Sequence, residues 1–223
     1  MGANFSNFNE KSLQSFIHGE YEKVKGTKKR DYLVLSDIIS INLPEDYPFN
    51  FNHLGNLFCM DANKDGRFSH DDLMEFASVA IKEVKKYKQH EINAQLQAFC
   101  TLQMWTTVCG DESKESDFVA WLSRLLYENQ SVKYFEPQLD TPFIGAETIK
   151  ALYEILNMRQ THNIEFQTFF ALMQQSGEEM GLMNVEEEDQ DDYVPLPVIQ
   201  MFSKNFIQGF SRLMSEIGFT NHN

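Results

Sequence analysis

Asp61-Ala62-Asn63-Lys64-Asp65-Gly66-Arg67-Phe68-Ser69-His70-Asp71-Asp72 is the stretch on which the fold turns. Oxygen-bearing side chains stand at alternate positions, Asp61, Asn63 and Asp65, and a glycine follows at once, satisfying D-x-[DN]-x-[DN]-G. Helical patterns flank it. Upstream, Leu54, Leu57, Phe58 and Met60 recur at helical spacing, with Asn50 and Asn52 after Pro48 as capping residues. Downstream, Leu73, Phe76, Ala77, Ala80, Ile81 and Val84 make an apolar stripe. Lys82, Lys85, Lys86 and Lys88 gather at its far end, where cations suit the helix dipole.

This stretch resembles an EF-hand calcium loop, and the resemblance implies a role for each key position. Side-chain oxygens would come from Asp61, Asn63 and Asp65, a backbone carbonyl from Arg67, a water held by Ser69, and a carboxylate from Asp72. Gly66 would permit the sharp turn, and Phe68 would pair the loop with a neighbouring one in a short ladder. The family usually carries Glu at the last position, reaching the ion with both oxygens. Asp72 is one methylene shorter, so it is expected to offer a single oxygen, which lowers the coordination number and admits Mg2+ at the Ca2+ site.

Members of this family nearly always use hands in pairs. A diverged copy lies upstream: residues 32–41 superpose on 67–76, matching Leu33 to Phe68, Asp37 to Asp72, Ile38 to Leu73 and Ile41 to Phe76. Lys28, Lys29 and Arg30 then fall where oxygen ligands belong, so this first hand is expected to be structural and metal-free. An unrelated helix-turn-helix is the alternative. A second copy spans 163–173, with Ile164 in the place of Phe68 and an entering helix over 147–156. Its loop, 157–162, lacks the carboxylates, and Thr168 replaces the final acid. Between these copies, 105–111 leads into a helix carrying Phe118, Trp121, Leu122, Leu125 and Leu126. Asp111, Glu112, Glu115 and Asp117 do not fit ligand spacing and read as a solvated acidic turn.

The expected fold is therefore all-α, with EF-hand helix-loop-helix pairs in two lobes plus a C-terminal helix. Residues 1–90 would hold the N-terminal pair, a degenerate first hand and a metal-binding second hand. Residues 91–177 would form a degenerate C-terminal lobe, and 178–223 an acidic linker with an amphipathic C-terminal helix. Six of the seven residues 186–192 are acidic, a run that repels itself and extends. Beyond it Ile199, Phe202, Phe206, Phe210, Leu213 and Ile217 recur by threes and fours, and Gly218 is placed to end the helix. So wide a stripe must be covered. Its cover could be the groove of its own C-terminal lobe, a twin chain or a target protein; the simplest is a tail seated in its own lobe's groove in competition with an external helix, and the alternative is a permanent core helix.

Composition sets the outer limits. The 223 residues carry 33 acidic against 19 basic side chains, a formal charge of −14, which argues against a phosphate-binding surface and so against a nucleic-acid partner. Apolar residues make up 42% and Phe alone numbers 19, enough to fold a chain of this charge. Three cysteines, Cys59, Cys100 and Cys109, form no CxxC and suit a reducing compartment. No apolar run is long enough to span a bilayer. The opening Met1-Gly2-Ala3-Asn4-Phe5-Ser6 matches M-G-x-x-x-[ST], making Gly2 a candidate for N-myristoylation, with an unmodified terminus as the alternative. One acyl chain holds a membrane weakly, so a second signal is needed. Lys23, Lys25, Lys28, Lys29 and Arg30 could supply it, or could be a solvated loop.

No nucleophile elbow, phosphate loop, zinc-protease or dinucleotide motif is present, so the chain is not expected to be an enzyme. The expectation is a cytoplasmic calcium-binding protein, membrane-associated if Gly2 is acylated. It would act as a sensor or regulatory subunit on a target protein, gripping an amphipathic helix. The ten methionines suit an adaptable groove. The alternative is a structural scaffold subunit whose one divalent-cation site stabilises the fold without switching.

Overall fold

The computed structural model describes residues 10–26, 28–41, 51–84, 92–109, 111–130, 133–183 and 192–216. The chain divides into two compact units, Met1–Trp105 and Thr106–Asn223, with the division inside one helix. Gly2 and most of the acidic run lie outside the described residues, as do Gly218 and the side chains of Leu213, Met214 and Ile217.

The first unit contains α1 (Glu10–Lys25), α2 (Leu35–Ser40), α3 (Leu54–Met60), α4 (His70–Val84) and most of α5 (Ile92–Val108). Its core forms because apolar residues on α1 and α4 recur every three or four positions. Leu13, Ile17 and Tyr21 of α1 are buried, as are Leu73, Phe76, Ala77, Ala80 and Ile81 of α4, and the two helices pack together. Ahead of α2 and α4 the chain is extended at one point each. There Leu33 and Phe68 form an isolated antiparallel bridge, each N–H donating to the other's carbonyl at 2.9 Å. Both side chains are fully buried, so this single rung also pins two apolar anchors.

The second unit holds α6 (Glu112–Asn129), β1 (Tyr134–Glu136), β2 (Thr141–Gly145), α7 (Ala146–Ile155), α8 (Met158–His162), α9 (Phe166–Glu179), β3 (Tyr193–Pro195) and α10 (Leu196–Glu216). The strands form an antiparallel sheet in the order β1-β2-β3, with Tyr134 opposite Phe143 and Ile144 opposite Val194. Trp121, Phe143, Ile144, Ile149, Leu152, Val194 and Ile199 are fully buried around this sheet. The chain is thus mostly helical, and the three short strands are an addition to the all-α expectation.

The strand anticipated at Ile164 does not form. Asn157 and Asn163 are both left-handed, with φ of 52°, and bracket α8 as a one-turn detour. Ile164 follows in a non-helical turn, its carbonyl accepting from the Tyr153 hydroxyl at 2.7 Å. The strand that pairs with β2 is instead β3, which runs directly into α10. α10 therefore belongs to the packed second unit: Val198, Ile199, Ser203 and Ile207 are buried, and the helix packs on α6, α9 and the strands. A helix packed in this way fits both arrangements of the tail, the seat in the groove of its own lobe and the permanent core helix. Residues 105–108 are the last turn of α5, and Asp111 caps α6 by accepting from the Ser113 N–H at 2.8 Å.

Candidate metal centre

α3 ends at Met60, and Asp61, whose N–H still donates to the Leu57 carbonyl at 3.0 Å, opens the 61–72 loop. The chain then folds back over the Asp61 carboxylate. Oδ2 accepts from the Gly66 N–H at 2.9 Å and Oδ1 from the Asp65 N–H at 3.3 Å. The closure depends on Gly66, whose φ of 81° strains any residue with a Cβ. Asn63 and Asp65 make smaller turns of the same kind, accepting from the N–H groups of Asp65 (3.1 Å) and Arg67 (2.9 Å). Asp61 is entirely buried, a costly place for a carboxylate unless charge or donors face it.

Lys64, which the sequence reading assigned no role, is one of the groups that faces it. Left-handed at φ 60°, it turns its ammonium onto the Phe58 and Asp61 carbonyls and lies 4.2 Å above the Phe58 ring. It thereby caps the C-terminal end of α3. Burial holds its pKa below the usual lysine value, and the Asp61 carboxylate opposes that shift. A lysine next to a run of acids reads as surface charge, so only the fold reveals this position.

At the other end of the loop Ser69 and Asp72 form a reciprocal helix cap. Asp72 Oδ2 accepts from the Ser69 N–H at 2.9 Å and hydroxyl at 2.5 Å, while the Asp72 N–H donates back to Ser69 Oγ at 3.2 Å. Asp72 is buried, and these contacts commit one of its two oxygens. Arg67 sets its guanidinium 4.6 Å over the Tyr32 ring, beside the Leu33–Phe68 bridge, which leaves its backbone carbonyl as its only ligand group.

The corresponding segment 28–37 keeps one half of that cap, the carboxylate on the backbone N–H, and has a different charge pattern. Asp37, 3% exposed, accepts from the Val34 N–H at 3.0 Å, as Asp72 does from Ser69. Its oxygens meet side-chain cations: Lys28 on one, Arg30 at 2.5 Å on the other. Two members of the basic run 23–30 are therefore an internal counter-ion pair. Burial, with Arg30 beside it, holds the Lys28 pKa down. Of the rest, Lys23 pairs with Glu20 at 3.4 Å and Lys25 lies over the Tyr21 ring.

Three of the loop's four carboxylates, with one amide oxygen, one hydroxyl and a carbonyl, make a hard-oxygen donor set that suits a hard divalent cation. Among the described residues no three His, Cys, Asp or Glu side chains are gathered tightly enough to hold an ion alone. Asp61, Asp65 and Asp72 are thus not brought together as a three-carboxylate cluster, and a site here would need Asn63, the Arg67 carbonyl and Ser69 as well. Two histidines meet where their separation in sequence gave no hint: His18 Nδ1 and His70 Nε2 are 3.0 Å apart, joining α1 to the start of α4. Among the described residues no helix is long and apolar enough to cross a membrane. No protein-family model matches the chain, and no curated protein and no solved structure matches it.

Proposed function

We propose that the chain is an EF-hand protein that binds one calcium ion in the 61–72 loop and acts as a calcium-responsive sensor or regulatory subunit on a target protein. The observation that carries this reading is the closure of the loop on a fully buried Asp61 through the Gly66 N–H, with Phe68 tied to Leu33. Asp61, Asn63, Asp65, the Arg67 carbonyl, Ser69 and Asp72 would hold the ion. The ion would supply positive charge beside the buried carboxylates of Asp61 and Asp72. The first hand, 10–40, takes no metal in this reading, because Lys28 and Arg30 already neutralise Asp37.

The second unit reads as a metal-free pair in a register other than that expected from sequence. β2 and β3 each run straight into a helix, and Ile144 and Val194 face each other as Leu33 and Phe68 do. Four residues on, where Asp37 and Asp72 stand in the first unit, the second unit has Thr148 and Val198. Acylation at Gly2, a cytoplasmic or membrane-surface location and capture of an amphipathic target helix belong to the same proposal, as does the absence of an enzymatic role.

The fixed charges around Asp37 favour a second reading, a scaffold subunit in which the ion only stabilises the loop. Amide exchange of the full chain with calcium and with chelator separates the two. The sensor reading expects protection spreading from 61–72 into α1 and α2. Change confined to the loop and its flanking helices supports the scaffold, and no change anywhere overturns calcium binding itself.

A further inference from the structure

α3 and α5 meet unusually closely. A Cβ on Gly55 would lie 2.8 Å from the Thr101 nitrogen and 2.9 Å from its Cα, so the backbones are in contact at this crossing. One helical turn along α3 from Gly55 stands Cys59, and beside Thr101 on α5 stands Cys100. The Cys59 thiol points at α5: its Sγ donates to the Cys100 carbonyl oxygen at 3.6 Å. Cys59 is half-buried and Cys100 is 1% exposed. A disulfide requires Cα atoms within about 7 Å and side chains aimed at each other, which few helix pairs provide.

We propose that Cys59 and Cys100 are a redox site, in which a peroxide converts the two thiols into a disulfide that fastens α3 to α5. The half-buried Cys59 reacts first. Its sulfur attacks one peroxide oxygen and the O–O bond breaks; the sulfur becomes a sulfenic acid, and the departing hydroxide takes up the thiol proton as water. The Cys100 sulfur then attacks Cys59, forming the S–S bond and breaking S–O, and the released hydroxide leaves as a second water with the Cys100 proton. Each sulfur gives up one electron, and hydrogen peroxide is reduced by two. Because Asp61 follows Cys59 by two residues, the bond would fix the start of the 61–72 loop; that consequence rests on the calcium reading, and the disulfide does not.

The test treats the full-length reduced chain with hydrogen peroxide, alkylates the remaining thiols after unfolding, and measures masses without reduction. The expected result is loss of two hydrogens, one alkyl group on Cys109, and a linked peptide pair containing Cys59 and Cys100, all reversed by dithiothreitol. Cys109→Ser should form the same link, whereas Cys100→Ser should leave Cys59 to accumulate oxygen atoms. Alkylation of Cys100 after peroxide treatment, a link only between two chains, or a link that prefers Cys109 would overturn the proposal. Titrating reduced and oxidised chains with calcium is a separate readout. Absence of binding in both forms counts against the calcium reading and leaves the disulfide result intact.

Discussion

Asp72 carries two duties at once. It caps α4 through Ser69 with one oxygen, and in the proposed centre it must reach the ion with the other. Glutamate is the usual partner in such a cap and has the reach to offer two oxygens to a cation. Asp72→Glu should therefore tighten calcium binding by about tenfold, ~1.4 kcal/mol, and weaken magnesium competition. A titration with unchanged affinity would mean that the loop already contracts around the aspartate. His53 supplies a second test. It precedes α3, and its buried Nδ1 has no hydrogen-bond partner. Burial lowers its pKa below the ordinary 6.5, so the unfolded chain binds this proton more readily than the folded one. The stability contribution is complete above that value and is lost as pH falls through the folded pKa. His53→Asn, which removes the titration and adds a capping side chain, should flatten this acid loss in urea melts between neutral and mildly acidic pH. Parallel curves for the two proteins would show that burial of His53 has no energetic weight.

At the scale of elements, pairing rather than helix formation decides what the sequence discloses. The match of Leu33 to Phe68 was legible because the loop motif fixes where an apolar residue must stand, and a copy of the following helix lies upstream with Asp37 in step. In the second unit no motif fixes the register. Ile164 sits between helical patterns and resembles a strand, yet left-handed Asn157 and Asn163 turn that segment into a detour. Val194 gives no strand signal because Pro195, a residue that cannot donate to a ladder, follows it at once; Pro195 is in fact the last residue of β3. Tight side-chain placements such as Lys64 on the α3 carbonyls and His18 on His70 depend on packing over distance, which residue spacing does not encode. The bridge itself is testable. Phe68 is fully buried, and Phe68→Ala should cost the first unit about 3–5 kcal/mol through lost burial and the cavity left behind. Calcium affinity should fall with it, since the rung that fixes the loop is lost. Stability within ~1 kcal/mol of the parent would show that the rung is not an anchor.

For the molecule as a whole, two compact units carry different chemistry: acids and cations around paired extended segments in the first, a three-stranded sheet with an integral last helix in the second. Because α10 follows β3 without a break and buries Val198, Ile199 and Ile207, a chain lacking residues 196–223 should lose the cooperative unfolding of its second unit. A truncated chain that keeps this transition and gains an apolar groove would instead support the tail as a displaceable occupant. In the proposed function one loop, 61–72, and no other holds calcium. Calorimetric titration of the full chain tests it most directly. The expected result is one calcium per chain and no detectable binding after Asp65→Ala, which removes a carboxylate from the loop and leaves the buried Asp61 and the Leu33–Phe68 bridge in place. Two or more ions per chain, or undiminished binding by the variant, would contradict it.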